Sequence, residues 1–349
     1  MSTLIINLAF LAERPSGISN YALNLLPHLQ DLKPLALSPR PLLNLDCRLV
    51  GDRFSSDRGS QAHLARLVWT ELRLPSICGS NLLFSPLPEA PLYRGCRYVV
   101  TVHDLIPLRF GRSRWSAYFR HVLPQVLAQA QHILVNSQAT GDELLKIMQV
   151  PSSKITVSPL AYDQAHFRWL DLPRQDYLLY LGRHDRHKNL LGLIQAFAQV
   201  PGNCQLYLAG ASDRRYTPCL KAAALELGVG GRVHFLDYVP YQDLPKLINQ
   251  AIALVLPSRW EGFGLPALEA MGCGTPVIAS RVGALPEVVG DAGILVNPDQ
   301  PEELAQAIAQ VITQADLRQD LQRRGLAQAL KFSWTNTGEI TNSLLRQLL

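Results

Sequence analysis

Two glutamates, Glu261 and Glu269, stand eight residues apart in the segment EGFGLPALEAMGCGTPV. Gly262 and Gly264 would let backbone N–H groups approach a ligand without interference from a Cβ atom, and Pro266 suits the first turn of a helix. Glu261 would then precede the helix and Glu269 would lie one turn inside it, where both carboxylates could accept hydrogen bonds from the vicinal hydroxyls of a ribose or a hexose. On spacing alone, Glu269 is equally compatible with a helix surface, and Glu261 with an acid at the positive helix end.

A second group of polar residues follows the apolar run YLLYL (177–181). Gly182 permits a backbone turn there, and Arg183 and Lys188 precede a helix that is predicted to begin near Asn189. Two cations beside a helix N-terminus favour the binding of a diphosphate. A solvated basic loop is the alternative interpretation, which the position after a strand only partly disfavours.

A histidine and an acid stand together in TVHDLIP (101–107), directly after another apolar run. His103 could transfer a proton or contact a substrate, although a lone histidine is more often structural. Asp104 is expected either to orient His103 or to cap the turn. The position after a strand and the adjacent acid favour a site role for His103.

These residues need strands that end near one another. Short apolar runs recur along the chain, with segments of helical period between them, at 4–8, 97–102, 132–136, 154–158, 177–181, 205–209, 232–236, 252–256, 276–279 and 293–296. Near-continuous apolar strands that alternate with helices are typical of parallel sheets covered on both faces. The predicted fold class is therefore α/β, with two doubly wound halves that leave a cleft where loops and helix N-termini converge.

The boundary between the halves is predicted within 158–176, a stretch rich in prolines and charges without a clear period. We place a first domain at 1–165 and a second at 166–330. A helix over 301–314 is expected to pack on the second sheet, because its apolar residues share one face. The final segment, 331–349, is predicted to form a helix, and its pattern alone does not identify a packing partner.

Composition and charge exclude several classes of protein. Apolar residues make up 48% of the 349 residues and charged residues 17%, which argues against long disordered segments. The net charge of +5 is too small to indicate nucleic-acid binding but suits anionic small molecules or lipid headgroups. No apolar run reaches the ~18 residues that a membrane helix needs, and the six cysteines lack metal-ligand spacing. We expect reduced, mostly buried thiols in a cytoplasmic globular protein without a signal peptide.

The segment RFGRSRWSAYFRHVL (109–123) combines arginines with aromatic residues on a predicted amphipathic helix. Such a helix could touch anionic lipid at the inner face of the membrane, as would suit a lipid-linked acceptor. The alternative is that Trp115, Tyr118 and Phe119 pack in the core while the arginines face water. These arginines are Arg109, Arg112, Arg114 and Arg120.

Several of these motifs together resemble those of the retaining glycosyltransferases of family 4. The stretch 257–298 resembles the family's E-x7-E region, GRHDRHKNL its donor-phosphate loop, and RPSGISNYALNLL (14–26) its N-terminal glycine loop. TVHDLIP, VNSQATGDELLK (135–146) and the closing FSW (332–334) fit the family as well. The resemblance spans nearly the whole chain and is patchy between about 35 and 95, where acceptor specificity would be expected to lie.

The resemblance implies the GT-B fold, in which two Rossmann-like domains face a central cleft. The domain at 1–165 would bind the acceptor and the domain at 166–330 the nucleotide-sugar donor, with the helix in 331–349 returning to the first domain. One departure is SPLAYD, where Ala161 and Tyr162 replace the glycine and the small residue that the family more often shows. This difference puts the geometry of the interdomain hinge in question.

The resemblance also implies roles for single residues. Glu269 would bind the ribose hydroxyls, and Glu261 would contact hydroxyls of the donor sugar. Arg183 and Lys188 would neutralise the diphosphate, and His103 would lie beside the reacting sugar, near its C6 hydroxyl. His103, Glu261, Arg183 and Lys188 form the implied catalytic set. Further implied donor-binding positions are Gly17, Gly182, Gly262, Phe263, Gly264 and Leu265. Asn136 and Ser137, which end a strand at the cleft edge, are weaker candidates without an assigned role.

The implied reaction is hexose transfer from a nucleotide diphosphate sugar with retention of configuration. Neither glutamate is assigned as a nucleophile, so we favour same-face attack in which the leaving phosphate accepts the acceptor's proton. The chain contains no D-x-D motif and no His or Cys cluster with metal spacing, so we expect a metal-independent reaction without a cofactor. Similarity to the mannosyltransferase-like branch favours GDP-mannose over a UDP-sugar, with a glycan or a lipid-linked sugar as acceptor and no nucleic-acid partner.

Other enzymes on doubly wound folds fit less well. No strand is followed by G-x-G-x-x-G, which disfavours a dehydrogenase, and Lys188 lacks the preceding glycine of a P-loop. A nucleotide-sugar epimerase or hydrolase of the same fold remains an alternative. So does a module that binds a nucleotide sugar without chemistry.

Overall fold

The structure, a computed structural model, describes residues 3–12, 17–55, 58–92, 95–111 and 114–349, without the side chains of residues 60 and 114. Arg112, the side chain of Arg114 and positions 14–16 of the glycine-loop segment lie outside this set. The chain divides into two compact units. The first comprises residues 1–160 together with 333–349, and the second comprises residues 161–332.

The first unit is built on a parallel sheet of seven strands in the order β3-β2-β1-β4-β5-β6-β7. The strands are β1 (Leu4–Asn7), β2 (Leu35–Ser38), β3 (Asp46–Leu49), β4 (Leu82–Ser85), β5 (Arg97–Val102), β6 (His132–Val135) and β7 (Ile155–Val157). In register, Ile5 of β1 lies opposite Leu35 on one side and Leu83 on the other. The four strands predicted in this half are confirmed, with bounds that differ by at most one residue.

Three strands of this sheet, β2, β3 and β4, were not predicted from the sequence. The residues of β3 are mostly exposed at the sheet edge, so DCRL shows no apolar run. The strands β2 (LALS) and β4 (LLFS) are buried but contain no β-branched residue, so their short apolar runs could not be told from buried helix.

Helices cover this sheet and connect its strands. They are α1 (Gly17–Leu25), α2 (Gly59–Leu72), α3 (Leu74–Cys78), α4 (Ile106–Phe110), α5 (Arg114–His121), α6 (Leu123–Gln129) and α7 (Gln138–Met148), with 3-10 turns at Leu26–Leu32, Asp52–Phe54 and Ser152–Lys154. Ser137 caps α7, because its side chain accepts a hydrogen bond from the N–H of Thr140.

The single amphipathic helix predicted over 109–123 is wrong. Helix α4 ends at Phe110, and α5 begins only at Arg114. Gly111 has extended backbone, and a Cβ atom there would lie 2.1 Å from Ser116 Oγ and 2.5 Å from the carbonyl oxygen of Pro107, so only a glycine allows this close approach. The pattern of arginines and aromatic residues continues past Gly111, and periodicity alone does not reveal that the helix ends before it.

The second unit carries a parallel sheet of six strands in the order β10-β9-β8-β11-β12-β13. The strands are β8 (Tyr177–Leu181), β9 (Gln205–Ala209), β10 (Val233–Leu236), β11 (Ala253–Leu256), β12 (Val277–Ser280) and β13 (Ile294–Val296). All six were predicted, and they are confirmed to within one residue at each end. The inner strands β8, β11 and β12 are entirely buried, which is why their apolar runs are continuous in the sequence. Half of the residues or more are only partly buried in β10 and β13 at the two edges of the sheet.

The helices of this unit alternate with its strands. They are α8 (Leu190–Ala198), α9 (Thr217–Glu226), α10 (Leu244–Asn249), α11 (Leu265–Gly272), α12 (Leu285–Val289), α13 (Pro301–Thr313) and α14 (Ala315–Ala329), with 3-10 turns at Arg186–Lys188 and Tyr241–Asp243. The predicted helix 301–314 is confirmed as α13, which buries Leu304, Ile308 and Val311 and packs against α8.

The last helix, α15 (Trp334–Leu348), belongs to the first unit. It packs against the 3-10 turn Leu26–Leu32 and against α1. A Cβ atom at Gly338 would lie 2.3 Å from the side chain of His28, so glycine permits this close approach. Asn342 donates a hydrogen bond to the carbonyl oxygen of His28.

The six cysteines are free thiols, as expected, but only Cys78, Cys204 and Cys273 are buried. Among the helices within the described ranges, none is both long enough and apolar enough to cross a bilayer.

The strand order places one switch point in each sheet. In the first sheet it lies between β1 and β4, and in the second between β8 and β11. At such a point the connections leave in opposite directions, and a crevice opens at the carboxyl ends of the two strands. The loops after these strands are therefore where a ligand site is expected.

Candidate active site

Lys188 and Glu261 form an ion pair at the switch point of the second sheet. Lys188 follows β8 and Glu261 follows β11, and the Lys188 Nζ atom lies 2.7 Å from Oε1 and 2.9 Å from Oε2 of Glu261. Ser258 Oγ donates a third hydrogen bond, of 2.7 Å, to Glu261 Oε1. The Lys188 and Glu261 side chains retain only 19% and 12% of their exposure, so the pair is largely removed from water.

Backbone hydrogen bonds hold the loops that carry this pair. The N–H of Arg259 donates to the carbonyl oxygen of His187 at 2.8 Å, which joins the loop after β11 to the loop after β8. The N–H of Ala284 donates to the carbonyl oxygen of Glu261 at 3.0 Å, which adds the loop after β12. A Cβ atom at Gly283 would lie 2.4 Å from that same carbonyl oxygen. Glu261 is thus fixed at its backbone as well as at its carboxylate.

Gly182 lies where the chain leaves β8, with φ at 149°. A Cβ atom at Gly182 would lie 2.7 Å from Tyr180 Oη, and one at Gly210 would lie 2.1 Å from the carbonyl oxygen of Gly182. Tyr180 Oη donates to the carbonyl oxygen of Arg183. The two glycines therefore allow the loops after β8 and β9 to pack backbone against backbone.

Arg183 does not join the Lys188–Glu261 pair. Its side chain is 75% exposed, and its Nε atom lies 3.5 Å from Asp185 Oδ2. The prediction that Arg183 and Lys188 neutralise one diphosphate therefore stays a prediction.

Helix α11 begins beside Glu261. Gly264 occupies the N-cap position with φ at 100°, and a Cβ atom there would lie 2.6 Å from the side chain of Leu285. The first hydrogen bonds of the helix run from Ala267 and Leu268 to the carbonyl oxygen of Gly264, so the N–H of Leu265 takes no part in them. This N–H points along the positive end of an eight-residue helix, which suits an anion or a hydroxyl oxygen.

Phe263 is buried and contacts the Phe332 ring edge-on, at 5.8 Å between centroids. Its side chain therefore anchors the glycine turn, which leaves its backbone as the part available to a ligand. Gly262 lies in the same buried turn.

Glu269 differs from Glu261 in lacking a polar partner. The residue is half-buried, and in the part of the chain that the structure describes its side chain makes no hydrogen bond or ion pair. Burial of its carboxyl raises the pKa of Glu269 to about 8. The carboxyl is therefore mostly protonated at neutral pH, and it would ionise when hydroxyl groups that donate hydrogen bonds to it come close.

His103 lies after β5 in the first unit. Its Nε2 atom is 3.0 Å from the carbonyl oxygen of Pro86, and burial lowers the pKa of the ring to about 4. The Tyr21 ring contacts it edge-on at 4.9 Å between centroids, and Tyr21 Oη is hydrogen-bonded to Thr101 Oγ1. Of the two roles predicted for Asp104, the structure supports the cap, because Asp104 Oδ1 accepts the N–H of Ile106.

The other candidates of the first unit are placed less specifically. Gly17 is the exposed first residue of α1, and a Cβ atom there would meet nothing within 4 Å. Asn136 and Ser137 are buried, and Ser137 serves as the cap of α7. Their positions alone assign them no ligand.

Trp115, Tyr118 and Phe119 pack in or against the core of the first unit, whereas Phe110 is exposed. Tyr118 and Phe119 are buried, and Tyr118 Oη donates to the carbonyl oxygen of Pro88. Arg109 pairs with Glu143 at 2.5 Å. For these residues the structure supports core packing over a lipid-facing helix.

Sequence reasoning missed three residues that shape the second-unit site: Ser258, Gly210 and Gly283. Ser258 stands three residues before Glu261 in PSRWEG, directly after a strand, and this position was the available signal. Gly210 and Gly283 also follow strands. The reason that each must be a glycine is the close approach of backbone from a neighbouring loop, which the sequence does not show. No group of three or more His, Cys, Asp or Glu residues that could hold a metal ion occurs within the described ranges.

Comparison with known proteins places both units in one class. Residues 163–328 match the family described as glycosyl transferases group 1, and residues 15–166 match Glycosyltransferase Family 4. O-antigen chain mannosyltransferase B of Escherichia coli is 35% identical over 258 residues, covering 69% of this chain and 68% of that protein. O-antigen chain mannosyltransferase RfbU of Salmonella typhimurium is 27% identical over 324 residues, covering 88% of this chain and 90% of that protein.

A solved structure shares the architecture. Anabaena Alr3699/HepE in complex with UDP and glucose matches with a TM-score of 0.79 and 21% identity, over 99% of this chain and 100% of that one. At this identity the likeness shows a common fold, with two Rossmann-like units in one chain.

Proposed function

The chain belongs to the glycosyltransferases of group 1 and family 4, and from this premise we propose that it moves a hexose, mannose in particular, from a nucleotide diphosphate sugar to a glycan or a lipid-linked sugar. Glycosyl transfer and the GT-B fold follow from the family itself. The donor, the acceptor, the stereochemistry and the residue roles are the content of the proposal.

The Lys188–Glu261 pair is the observation that carries the proposal. It lies at the switch point between β8 and β11, where a doubly wound sheet binds its ligand. A carboxylate held in place by Lys188 and Ser258 offers fixed lone pairs to the hydroxyls of a hexose. The ammonium of Lys188, held beside it, supplies a positive charge for the adjoining diphosphate.

The charge balance of the reaction fits these groups. The bond between the sugar C1 and the β-phosphate oxygen breaks, the acceptor oxygen forms a bond to C1, and the acceptor's proton passes to the leaving phosphate. Negative charge therefore grows on the phosphate, where Lys188, Arg183 and the N–H of Leu265 would stabilise it. We propose that these groups make a divalent cation unnecessary, and that attack on the face the phosphate leaves retains the configuration.

The remaining roles extend from this centre. The carboxylate of Glu269 would accept hydrogen bonds from the ribose hydroxyls, and the backbone of Gly262, Phe263 and Gly264 would approach the donor sugar. In the first unit, His103 would contact the reacting sugar, and Gly17 would bring backbone N–H groups to the phosphates.

The names of the relatives guide the choice of sugar and acceptor. Two relatives are O-antigen chain mannosyltransferases, which favours mannose, with GDP-mannose as the first donor to test, and a growing polysaccharide as the acceptor. The structural relative was solved with UDP and glucose, so UDP-glucose is the second donor. Any membrane contact of 109–123 would have to use exposed residues such as Arg120, because Tyr118 and Phe119 are buried.

A donor panel tests the proposal. Purified enzyme is incubated with GDP-mannose, UDP-glucose and UDP-galactose, each with and without a mannose-terminated acceptor, in the presence of EDTA or of Mg2+. We expect transfer from GDP-mannose in both metal conditions, with the α-configuration of the donor kept in the product by NMR. Glu261→Gln should lower the transfer rate at least ~100-fold.

Three results would contradict the proposal. Donor consumption at an equal rate without acceptor would indicate a hydrolase or an epimerase. A rise in melting temperature with a donor, but no consumption of it, would indicate a binding module. Loss of transfer in EDTA with recovery in Mg2+ would refute metal independence.

A further inference from the structure

The loop after β4, residues 86–92, lies at the switch point of the first sheet. Its strand neighbours β1 on one side and β5 on the other, and β5 leads into His103. Residues 86–91 are all buried, which is unusual for a connecting segment in a sheet protein. A loop buried in this way needs partners for its backbone polar groups.

Side chains from three other elements supply those partners. The carbonyl oxygen of Pro88 accepts from Tyr118 Oη at 2.6 Å, and the N–H of Leu92 donates to Glu71 Oε2 at 2.9 Å. The carbonyl oxygen of Pro86 is 3.0 Å from His103 Nε2. The loop is therefore fixed at both ends and near its middle, and one of its contacts is with the candidate site residue.

A buried ion pair fixes the centre of the loop. Glu89, with no exposed surface, accepts two hydrogen bonds from Arg66, from Nε at 2.6 Å and from Nη2 at 2.7 Å. Arg66 also donates to the carbonyl oxygen of Phe54, and His63 Nδ1 lies 3.3 Å from Glu89 Oε1. Burying two charges is costly, and well-packed apolar residues often stabilise a protein as much as such a pair. What the pair adds is a single geometry for residues 86–92.

That geometry decides which nitrogen of His103 carries the proton. A carbonyl oxygen only accepts hydrogen bonds, so Nε2 must be protonated to bond to Pro86. In the neutral ring Nδ1 is then an acceptor, and no described residue makes a hydrogen bond to it. Tyr21, packed edge-on against the ring, restrains its tilt.

We propose that Arg66 and Glu89 are positioning residues which, through residues 86–92, hold His103 as the Nε2–H tautomer so that Nδ1 accepts a hydrogen bond from a substrate hydroxyl. The inference rests on the proposed role of His103 in glycosyl transfer. The tautomer itself, however, is measurable without any reaction.

The test removes the ion pair without leaving a lone buried charge. The double variant Arg66→Met/Glu89→Leu replaces both charged groups with apolar ones, and Tyr118→Phe removes only the hydrogen bond to Pro88. Leu127→Ala is the control, because it truncates a buried residue of α6 and leaves every tether of the loop in place. Circular dichroism establishes that each variant is folded.

The first readout is the 15N spectrum of the enzyme with labelled histidine. In the wild type and in Leu127→Ala, we expect the His103 signals of a single neutral Nε2–H tautomer at pH 7. The double variant should show the two tautomers in exchange, and Tyr118→Phe a smaller change in the same direction. A pure Nε2–H tautomer in both loop variants would overturn the proposal.

The second readout is the steady-state rate with donor and acceptor. Misorientation of a group that contacts the reacting sugar should lower kcat by about 10- to 100-fold in the double variant, with the KM for the donor changed much less. Leu127→Ala should keep its kcat. Unchanged kcat in a double variant with mixed tautomers would also overturn the proposal, and it would locate the failure in the assumed role of His103. Absence of transfer by the wild type with every donor would instead refute the proposed function.

Discussion

Lys188 Nζ lies within 2.9 Å of both carboxylate oxygens of Glu261, so one ammonium group joins the loops after the two strands that flank the switch point. The family resemblance implies that the cation contacts a phosphate and the carboxylate a sugar, as two separate contacts. Their direct contact means that each holds the other in the position in which it would meet the donor. A donor that carries both groups side by side, a hexose joined to a diphosphate, matches this arrangement.

Removal of Lys188 should affect both stability and catalysis. Lys188→Ala leaves the largely buried Glu261 carboxylate without its cation, and we expect the free energy of unfolding to fall by about 2–3 kcal/mol. We also expect kcat/KM to fall by ~100-fold or more, because the leaving phosphate loses a fixed charge. Urea denaturation and initial rates measure the two effects.

Arg183→Ala is the matched comparison for this prediction. Arg183 is mostly exposed and its ion pair with Asp185 is long, so the free energy of unfolding should change by less than ~0.5 kcal/mol. Its kcat/KM should still fall, by about 10-fold. A Lys188→Ala enzyme that is destabilised but turns over normally would make Lys188 a structural residue only.

Ser258 should matter through Glu261. Ser258→Ala removes the hydroxyl that donates to Glu261 Oε1 and leaves a buried lone pair unsatisfied, so we expect a loss of ~1–2 kcal/mol in stability and a several-fold rise in the KM for the donor. Ser280→Ala is the control, since Ser280 is equally buried at the end of β12 but bonds only weakly, at 3.4 Å, to the carbonyl oxygen of Leu256. Equal KM values in the two variants would argue against a positioning role for Ser258.

Much of this site could be predicted from the sequence, because β8 and β11, which precede its residues, are entirely buried and show as apolar runs. Once the runs are placed, Lys188 and Glu261 fall at strand ends without further information. Their contact could not be predicted, because it depends on β8 and β11 being neighbours although β8 ends at Leu181 and β11 begins only at Ala253. The contact between the buried residues Arg66 and Glu89 could not be predicted for the same reason, since α2 and the loop after β4 meet only in the folded unit.

Gly283 should be required for the position of Glu261. An alanine at 283 would adopt φ near 54° and place its Cβ 2.4 Å from the carbonyl oxygen of Glu261, so we expect a loss of ~2–4 kcal/mol and a marked fall in kcat/KM. Gly228→Ala is the control, because φ is 73° there but nothing lies within 4 Å of the added Cβ. That variant should lose only ~1 kcal/mol, the strain of the left-handed backbone, and keep its activity. Thermal unfolding and initial rates of both variants separate crowding from strain.

Glu269 should make the stability of the protein depend on pH. Burial raises the pKa of Glu269 from the usual 4.5 to about 8 in the folded protein, so the folded state keeps a proton that the unfolded chain releases above about pH 4.5. The free energy of unfolding is therefore highest below about pH 4.5, and this stability is lost as the pH rises through about 8. Glu269→Gln does not titrate, and we expect the wild type to lose about 4 kcal/mol relative to this variant between about pH 5 and pH 9, at ~1.4 kcal/mol for each pH unit between the two pKa values. Urea denaturation across this range measures the difference. A constant difference would mean that the carboxyl is not buried as the structure shows.

Donor binding should reverse the protonation of Glu269. Two ribose hydroxyls that both donate hydrogen bonds need the ionised carboxylate as acceptor, so binding should lower the pKa of Glu269 and release close to one proton per donor at about pH 7. Affinity should therefore rise from about pH 6 to pH 8 in the wild type and in Glu226→Gln, a change at an exposed residue of α9, but not in Glu269→Gln. Calorimetry in two buffers of different ionisation enthalpy counts the protons that are released.

His103 does not contribute to this proton count, because burial holds its pKa at about 4 and the ring stays neutral throughout this pH range. Proton uptake, or an equal pH response in Glu269→Gln, would show that the ribose is bound elsewhere.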